Sequence, residues 1–518
     1  MLKAEYYTVP TDIDRLVFDK LIPQDHYLRR LKAVIDFEPL RALVADCYAP
    51  GVGAPAEDPV RMLKLSLLQF QYDLSDSQVV RQAQVNVAFR FFLDLSVESA
   101  LPVASLLSQF RTRLGTERFE RVFNEILRQA RAGGLVKDRL RLKDATHLIA
   151  NVAIPSTLRL VAQTRAQLLS TAESFAAPEV AAPRAQVEVV RATTADLAEE
   201  QRLLARVTHL REIVAWGEQW QARLREAAAR ALPGVSEEHV AAFAAALELA
   251  HKVLNDRAPE AKDKLRSLVD PEVRTGKHGD YDDGYLLDVN MDADSELICA
   301  LDVLPANADE AANAKPLIAS EECAQGNDVA SLSIDRIGYR GDVLAELSDA
   351  TDGPQLIVYV PPIDWTGPAP ELFQPEVFTL NERRDEVRCP GGATTRTRSK
   401  REHGWRFHFR PTQCRACPLR GQCLRPDARG GRTVIKTNYE AQYRAAQQRA
   451  QTLAYQEVRR EHPRIERKLA DLIRWHNGRR VRYRGRLRVK VQYLLTAVVV
   501  NCKRIVKLLS LPVQPQFT

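Results

Sequence analysis

The sequence predicts an α/β protein: a mixed sheet flanked by helices, with an all-helical segment before it, a helical insertion and a smaller Cys-rich insertion. Three observations predict this. Short segments with strand-like patterning recur at 136–146, 284–304, 329–334 and 356–360, and aspartates lie at or near the ends of two of them. Long Ala-, Leu-, Arg- and Glu-rich stretches of helical period lie around them. Four of the eight cysteines fall between 389 and 423, inside a strongly basic C-terminal third.

In chain order, residues 1–130 read as helical. Pro59 precedes an amphipathic stretch over 60–70, and Ser75 and Asp76 offer N-caps for a helix over 78–91. After Pro102 a further helix covers 104–114 and stops at Gly115. Short helices with tight breaks, the last carrying Arg111 and Arg113, fit a DNA-binding helix-turn-helix module and a plain helical bundle equally. In 136–146, Leu140 and Leu142 alternate with Arg139, Arg141 and Lys143, as in a strand with one buried face. Asp144 keeps the parity of the leucines, whereas His147 has the opposite parity and reads as structural.

Residues 155–279 form the helical insertion, with Pro178 and Pro183 marking a turn between helices and dimerisation as its suggested use. Strands at 284–289 and 296–304 flank a hairpin turn at 292–295. A helix at 308–318 precedes a strand at 329–334 that ends at Asp335. Then come a helix at 341–347 and a strand at 356–360, which Pro361 and Pro362 stop. Long helices at 439–473 and 487–509 close the chain before a tail at 512–518. The sheet-bearing domain is thus expected over 136–154, 280–380 and 431–512, with the Cys-rich insertion at 381–430. Strand with Asp, hairpin, helix, strand with Asp, helix, strand, insertion and helix with Glu is the element order of an RNase H-like fold.

Net charge is +7, but unevenly spread: 381–510 holds 33 Lys and Arg against 10 Asp and Glu, about +23, which leaves about −16 for the rest. An Arg-dominated basic third implies a polyanionic partner, because guanidinium forks match phosphate oxygens in pairs. A structural helical oligomer would not need that asymmetry. The N-terminus shows no apolar leader, and no apolar run is long enough to span a bilayer. The expectation is a cytoplasmic protein without membrane association whose basic third meets nucleic acid. Cys47, Cys299, Cys323 and Cys502 read as buried thiols of a reducing compartment.

Three acids stand where phosphodiester chemistry needs them. Such chemistry requires an activated water and charge neutralisation at the attacking and leaving oxygens, which two Mg²⁺ ions supply when carboxylates hold them. Asp144 lies on the apolar face of its strand, where an unpartnered carboxylate is costly. Asp335 sits where a strand meets its C-terminal loop. Glu466 lies one turn past Pro463, at the edge of the stripe Ile465, Leu469, Leu472 and Ile473. Asp294, Asp302 and Glu310 read as turn, surface and helix-start acids.

The residues around these acids resemble bacterial insertion-sequence transposases of the DDE class. Leu21-Ile-Pro-Gln-Asp-His26 and Asp76-Ser-Gln-Val-Val80 resemble that family's N-terminal helical domain. Leu142-Lys-Asp144-Ala-Thr-His147 resembles the segment with the first catalytic Asp. Asp294-Ser-Glu-Leu-Ile298 with Pro305-Ala-Asn307-Ala-Asp-Glu310 resembles the hairpin that follows, and Ile334-Asp335-Arg-Ile-Gly338-Tyr339 the second Asp motif. Arg464-Ile-Glu466-Arg467, Arg482-Tyr-Arg-Gly485 and Gln492-Tyr-Leu-Leu-Thr496 through Asn501 resemble the third motif. The chain departs from the pattern at Leu286-Leu-Asp288, where many relatives carry Lys and His. It departs again at Arg459 and His462, where some relatives carry Tyr and Arg.

The resemblance implies a transposase that cleaves DNA at its element's terminal inverted repeats and transfers the freed 3′ ends into target DNA, working as a homo-oligomer. Asp144, Asp335 and Glu466 are the implied catalytic ligands of two Mg²⁺ or Mn²⁺ per site. Arg464, Arg467, Lys468, Arg482 and Arg484 are the expected DNA contacts, with Arg467 and Lys468 at the scissile phosphate. The alternative is a catalytically inactive DNA-binding protein derived from such an enzyme.

Cys389, Cys414, Cys417 and Cys423 have the spacing C-x24-C-x2-C-x5-C, which suits a tetrahedral structural Zn²⁺; free thiols or a redox pair are the other readings. Trp405, Phe407 and Phe409 read as a small core there in preference to a base-stacking platform.

Overall fold

The computed structural model describes residues 2–3, 6, 10–49, 53–229, 236–278, 280–349, 356–363 and 371–510, without the side chains of 174–177, 229 and 278. The expected tail at 512–518 lies outside them. Seven helices open the chain: α1 Asp12–Leu21, α2 Tyr27–Val34, α3 Pro39–Leu43, α4 Pro59–Gln71, α5 Asp76–Val85, α6 Val87–Phe92 and α7 Ser105–Ala132. Ser75 caps α5 in a capping box with Gln78. The single helix expected over 78–91 is two, because Asn86 is extended and its side chain accepts the Phe89 N–H (3.2 Å), capping α6. Gly115 (φ 61°) breaks the helical path as expected, but the chain then resumes as far as Ala132.

β1 (Arg141–Ile149) follows, then α8 Thr157–Thr193, α9 Glu199–Ala229 and α10 Glu237–Asn255, which pack around their own core of Leu168, Leu169, Leu210, Phe243 and Leu247. Pro178 and Pro183 do not mark a turn: both lie inside α8. Their missing N–H groups are tolerated in a helix packed against α9 and α10.

The sheet continues with β2 Arg274–His278, β3 Asp280–Asp292 and β4 Ile298–Pro305. After α11 Ala314–Gln325 come β5 Ser331–Ser333, α12 Gly341–Leu347 and β6 Ile357–Tyr359. β2 had been included in the helical insertion; it pairs with β3 and belongs to the sheet. Helix α11 starts six residues later than expected, because the Asp309 carboxylate accepts the N–H groups of Ala311 (3.1 Å) and Ala312 (3.3 Å) and holds a turn ahead of it.

β3 pairs antiparallel with β1 on one side and with β4 and β2 on the other, while β5 and β6 continue parallel from β1. The order β4-β3-β1-β5-β6, three antiparallel strands followed by two parallel ones with helices on the faces, is the RNase H-like arrangement.

Six short strands then build the Cys-rich lobe: β7 Thr379–Leu380, β8 Val387–Arg388, β9 Thr394–Thr395, β10 Arg398–Arg401, β11 Gly404–His408 and, after α13 Pro411–Arg415 and α14 Arg420–Cys423, β12 Thr433–Thr437. The lobe's core is Phe378, Val387, Phe407, Phe409 and Val434. Trp405 is half-buried beneath the Arg398 guanidinium (4.1 Å), and Phe407 and Phe409 are core residues as expected.

The helix expected over 439–473 is three: α15 Glu440–Ala450, α16 Leu453–Glu461 and α17 Pro463–Trp475. Thr452 caps α16 through the Tyr455 N–H (3.2 Å), and Pro463 sits at the start of α17. The last helix, α18 Arg486–Ser510, is buried along most of its length against α2, α4, α7 and β4. One apolar core therefore runs from the N-terminal helices through β1, β3 and β4 into α17 and α18.

Candidate active site

β1 and β5 are parallel neighbours with Leu142 opposite Ser333. Period two puts Asp144 on the face of Leu142, at the end of β1 next to β5. Asp335 lies two residues past β5 as the N-cap of the turn Arg336–Gly338, close enough for its charge to act on the Asp144 carboxyl. Helix α17 covers that face: His462 at its head meets Ser333 Oγ through Nδ1 (3.0 Å), and Ile465, Leu469 and Leu472 pack inward. Glu466 is left at the exposed edge of α17.

The opposite face of β1 is buried too, contrary to the expected single buried face. Arg141 is fully buried, with ion pairs to Asp292 (2.9 Å), Glu321 (2.7 Å) and Asp138 (3.0 Å). The buried Lys143 Nζ donates to Asp288 (2.7 Å) and to the Glu310 carbonyl (2.9 Å), and Asn313 holds the other Asp288 oxygen (2.8 Å). Charges hidden this way must be paired, and the pairing clamps β1, β3 and α11 around the acid-bearing end.

At that end carboxylates act on one another. The Asp144 carboxyl is pushed up to about 7, first by burial and then by Asp335, Glu310 and Glu466, with the Ala145 N–H (2.8 Å) opposing. Glu310 is pushed up to about 6 by burial, against Lys143, and by Asp335, Asp288 and Asp309. A set of acids that raise one another's pKa suits a hard divalent cation, which relieves the repulsion. Among the described residues no group of three or more His, Cys, Asp or Glu side chains is arranged to hold a metal ion.

Two residues here are not the ones the sequence singles out. Glu310 is no helix start; it lies in the turn before α11, its backbone held by Lys143, with its charge reaching Asp144 and Asp335. Arg459, seven residues before Glu466, donates to Ser333 Oγ (3.2 Å) and the Ile334 carbonyl (3.1 Å), in the field of both Asp335 and Glu466. His462 is buried and pushed down to about 4, first by burial and then by Arg459, so it is neutral near pH 7 and anchors α17. His147 is buried, consistent with a structural role.

The five expected DNA contacts separate. Arg467 and Arg484 are exposed. Arg464 is partly held by the Ala293 carbonyl (2.6 Å) and Glu461 (3.3 Å). Lys468 is buried, because its position three residues after Ile465 turns it inward with the apolar stripe. Arg482 is a tie between regions: it donates to the Leu74 carbonyl (2.7 Å), bonds Asp73 and lies over the Phe70 ring (4.8 Å). In the Cys-rich lobe, Cys389, Cys414, Cys417 and Cys423 line one cavity of about 190 Å³.

Strand order and an acid-bearing sheet end define an RNase H-like protein. Two family matches then specify the chain. A transposase domain (DUF772) matches residues 16–113, and a transposase DDE domain matches residues 388–506. Together the two matches support an insertion-sequence DDE transposase, a class of metal-dependent enzymes that act on DNA and generally use divalent ions such as Mg²⁺. Glu466 and the four clustered cysteines fall within the second match; Asp144 and Asp335 lie in the unmatched stretch between the two. No curated protein and no solved structure matches the chain. Among the described residues no helix is long and apolar enough to cross a membrane.

Proposed function

We propose that this chain is a catalytically competent transposase in which Asp144, Asp335 and Glu466 hold two Mg²⁺ or Mn²⁺ ions for cleavage at the element's ends and strand transfer into target DNA. The observation that supports the reading is that the charges of Asp335 and Glu466 both act on the buried Asp144 carboxyl, at the end of β1 next to β5. When bound, the ions supply an activated water and neutralise the charge that develops on the leaving oxygen. The chain's own part is to hold the ligands rigid. Arg141 and Lys143 fix β1 from behind, and the Ser333–His462 bond fixes α17 on β5. Arg459 offers a guanidinium beside Asp335 and Glu466, and Arg467 a second cation on the exposed side of α17. With Arg464 and Arg484 they form the proposed phosphate track, and the N-terminal helices the part that reads terminal-repeat sequence. Homo-oligomer formation on DNA belongs to the same proposal.

The test is Asp144→Asn, Asp335→Asn and Glu466→Gln, assayed on DNA carrying the element's ends. Each variant should lose Mg²⁺-dependent cleavage by about a thousandfold or more while its fold and DNA affinity remain. Wild-type cleavage in any of the three removes that residue from the triad. An unaltered chain that binds ends and never cuts them would instead be a DNA-binding descendant.

A further inference from the structure

The Cys-rich lobe has few means of holding itself together. Its core is five residues, its strands are two to five residues long, and β10 is exposed at every position. Folding units this small usually rely on a disulfide or a metal. Among the described residues all eight cysteines are free thiols.

Four of them come from three separate turns to one place. Cys389 follows β8 in a turn closed by Cys389 N–H to the Ala393 carbonyl (2.9 Å) and Gly392 N–H to the Cys389 carbonyl (2.9 Å). Cys414 lies in α13 and Cys417 just beyond it, where its N–H donates back to the Cys414 carbonyl (3.4 Å). Cys423 ends α14. All four line the same cavity of about 190 Å³, which Phe378 and Phe409 help to wall.

Two details concern the sulfurs. A Cβ built on Gly391 would stand 2.8 Å from Cys417 Sγ and 3.7 Å from Cys389 Sγ, so these sulfurs meet across a position that only glycine leaves open. The Arg432 N–H donates to Cys414 Sγ (3.3 Å), as backbone donors do to thiolates, and the same residue's guanidinium bonds the Cys423 carbonyl (3.3 Å) and the Phe373 carbonyl (2.6 Å).

We propose that Cys389, Cys414, Cys417 and Cys423 bind one Zn²⁺ as a closed, structural four-thiolate site. Zinc suits this donor set because it takes four soft ligands tetrahedrally and needs no open coordination position for a structural role. The ion would bind the turn after β8 to α13 and α14. It would thereby hold the β10–β11–β12 sheet, whose exposed Arg398, Lys400 and Arg401 form a cationic face. This site is independent of the carboxylate centre.

The experiment is metal analysis of the full chain, purified in reducing buffer without chelator. About one zinc per chain is expected. Cys389→Ser, Cys414→Ser, Cys417→Ser and Cys423→Ser should each lose it, and Cys323→Ser, at an exposed cysteine outside the cluster, should not. Reconstitution with Co²⁺ should give the thiolate-to-cobalt charge-transfer band of a four-sulfur site. Should the serine variants fail to fold, the unaltered chain still decides: titrating its thiols with a mercurial should release zinc in step with the reaction of four of its eight cysteines. Metal-free wild-type protein with all four clustered thiols freely reactive, or a disulfide among them, overturns the proposal. Zinc content of Asp144→Asn should match wild type, which keeps this result separate from the fate of the carboxylate reading.

Discussion

The acid-bearing end of the sheet and the Cys-rich lobe both carry several ligand-type side chains, and they hold them in opposite ways. Asp144 projects from a strand of the main apolar core, clamped from behind by the buried Arg141 and Lys143, and Asp335 follows the neighbouring strand directly as the cap of a short turn. The cysteines project from turns around a five-residue core. The sheet end is braced by paired buried charges, so on the proposed reading an ion there would serve chemistry. On the proposed zinc reading the lobe would depend on its ion for shape.

Removing metal should break the comparison most sharply. A zinc chelator should loosen the whole lobe, because structural zinc in small domains is worth about 10 kcal/mol or more of apparent folding free energy. Hydrogen exchange at Phe407, Phe409 and Val434 should quicken while β1 and β3 amides keep their protection. Equal loosening of both regions would show that the lobe and the sheet are one cooperative unit.

Next in size is the clamp. Arg141→Met should cost about 3–5 kcal/mol, since it leaves buried Asp292 and Glu321 without their guanidinium. Urea denaturation reads this directly. A loss under 1 kcal/mol would mean that the acid end is not braced from behind.

A third test uses pH. His462 is pushed down to about 4 in the folded chain, below its ordinary value of 6.5. Between these values the unfolded chain takes up a proton that the folded chain refuses, so stability should fall as pH drops, by at most about 3 kcal/mol. His462→Asn, which keeps a polar atom near Ser333, should flatten that part of the curve. An unchanged slope would assign the acid sensitivity elsewhere.

The smallest effect sharpens the division among the arginines. Arg484→Ala should reduce the salt dependence of DNA binding by about 0.9 in log–log slope, as for one lost phosphate contact. Arg482→Ala should leave that slope alone and cost about 1 kcal/mol of stability, because its partners are Leu74 and Asp73. The same slope change in both would return Arg482 to the DNA surface.

Parts of this organisation are legible in the sequence. Alternation at Leu140 and Leu142 carries Asp144 to a defined face, and an apolar run ending at Asp335 carries a second acid to a strand's end; both features are local. The helix Gly341–Leu347 is as expected for the same reason. What escapes a linear reading is long-range pairing. Arg141 and Lys143 look like a solvent face because their partner acids lie some 145 to 180 residues away. Glu310 looks like a helix start because nothing local shows that Lys143 will hold its backbone. Lys468 looks like surface because a charged residue inside an apolar stripe is usually solvated. Breaks inside helical runs escape for a different reason: Asn86 and Thr452 act as caps only once their side chains turn back onto the following N–H groups.

The continuous core has a mechanical meaning. Helix α18 follows Glu466 in the chain, and α2, α4 and α7 are its packing partners. Arg482, between α17 and α18, is fastened to the end of α4 through Leu74 and Asp73. The N-terminal helices and the acid-bearing sheet end are thus tied together through one continuous apolar core. If the N-terminal helices grip DNA and the acids cut it, as proposed, the bond presented to the acids should lie a set number of base pairs from the grip. On that proposal the protein would act as a measuring gauge, with the site of the cut built into its packing.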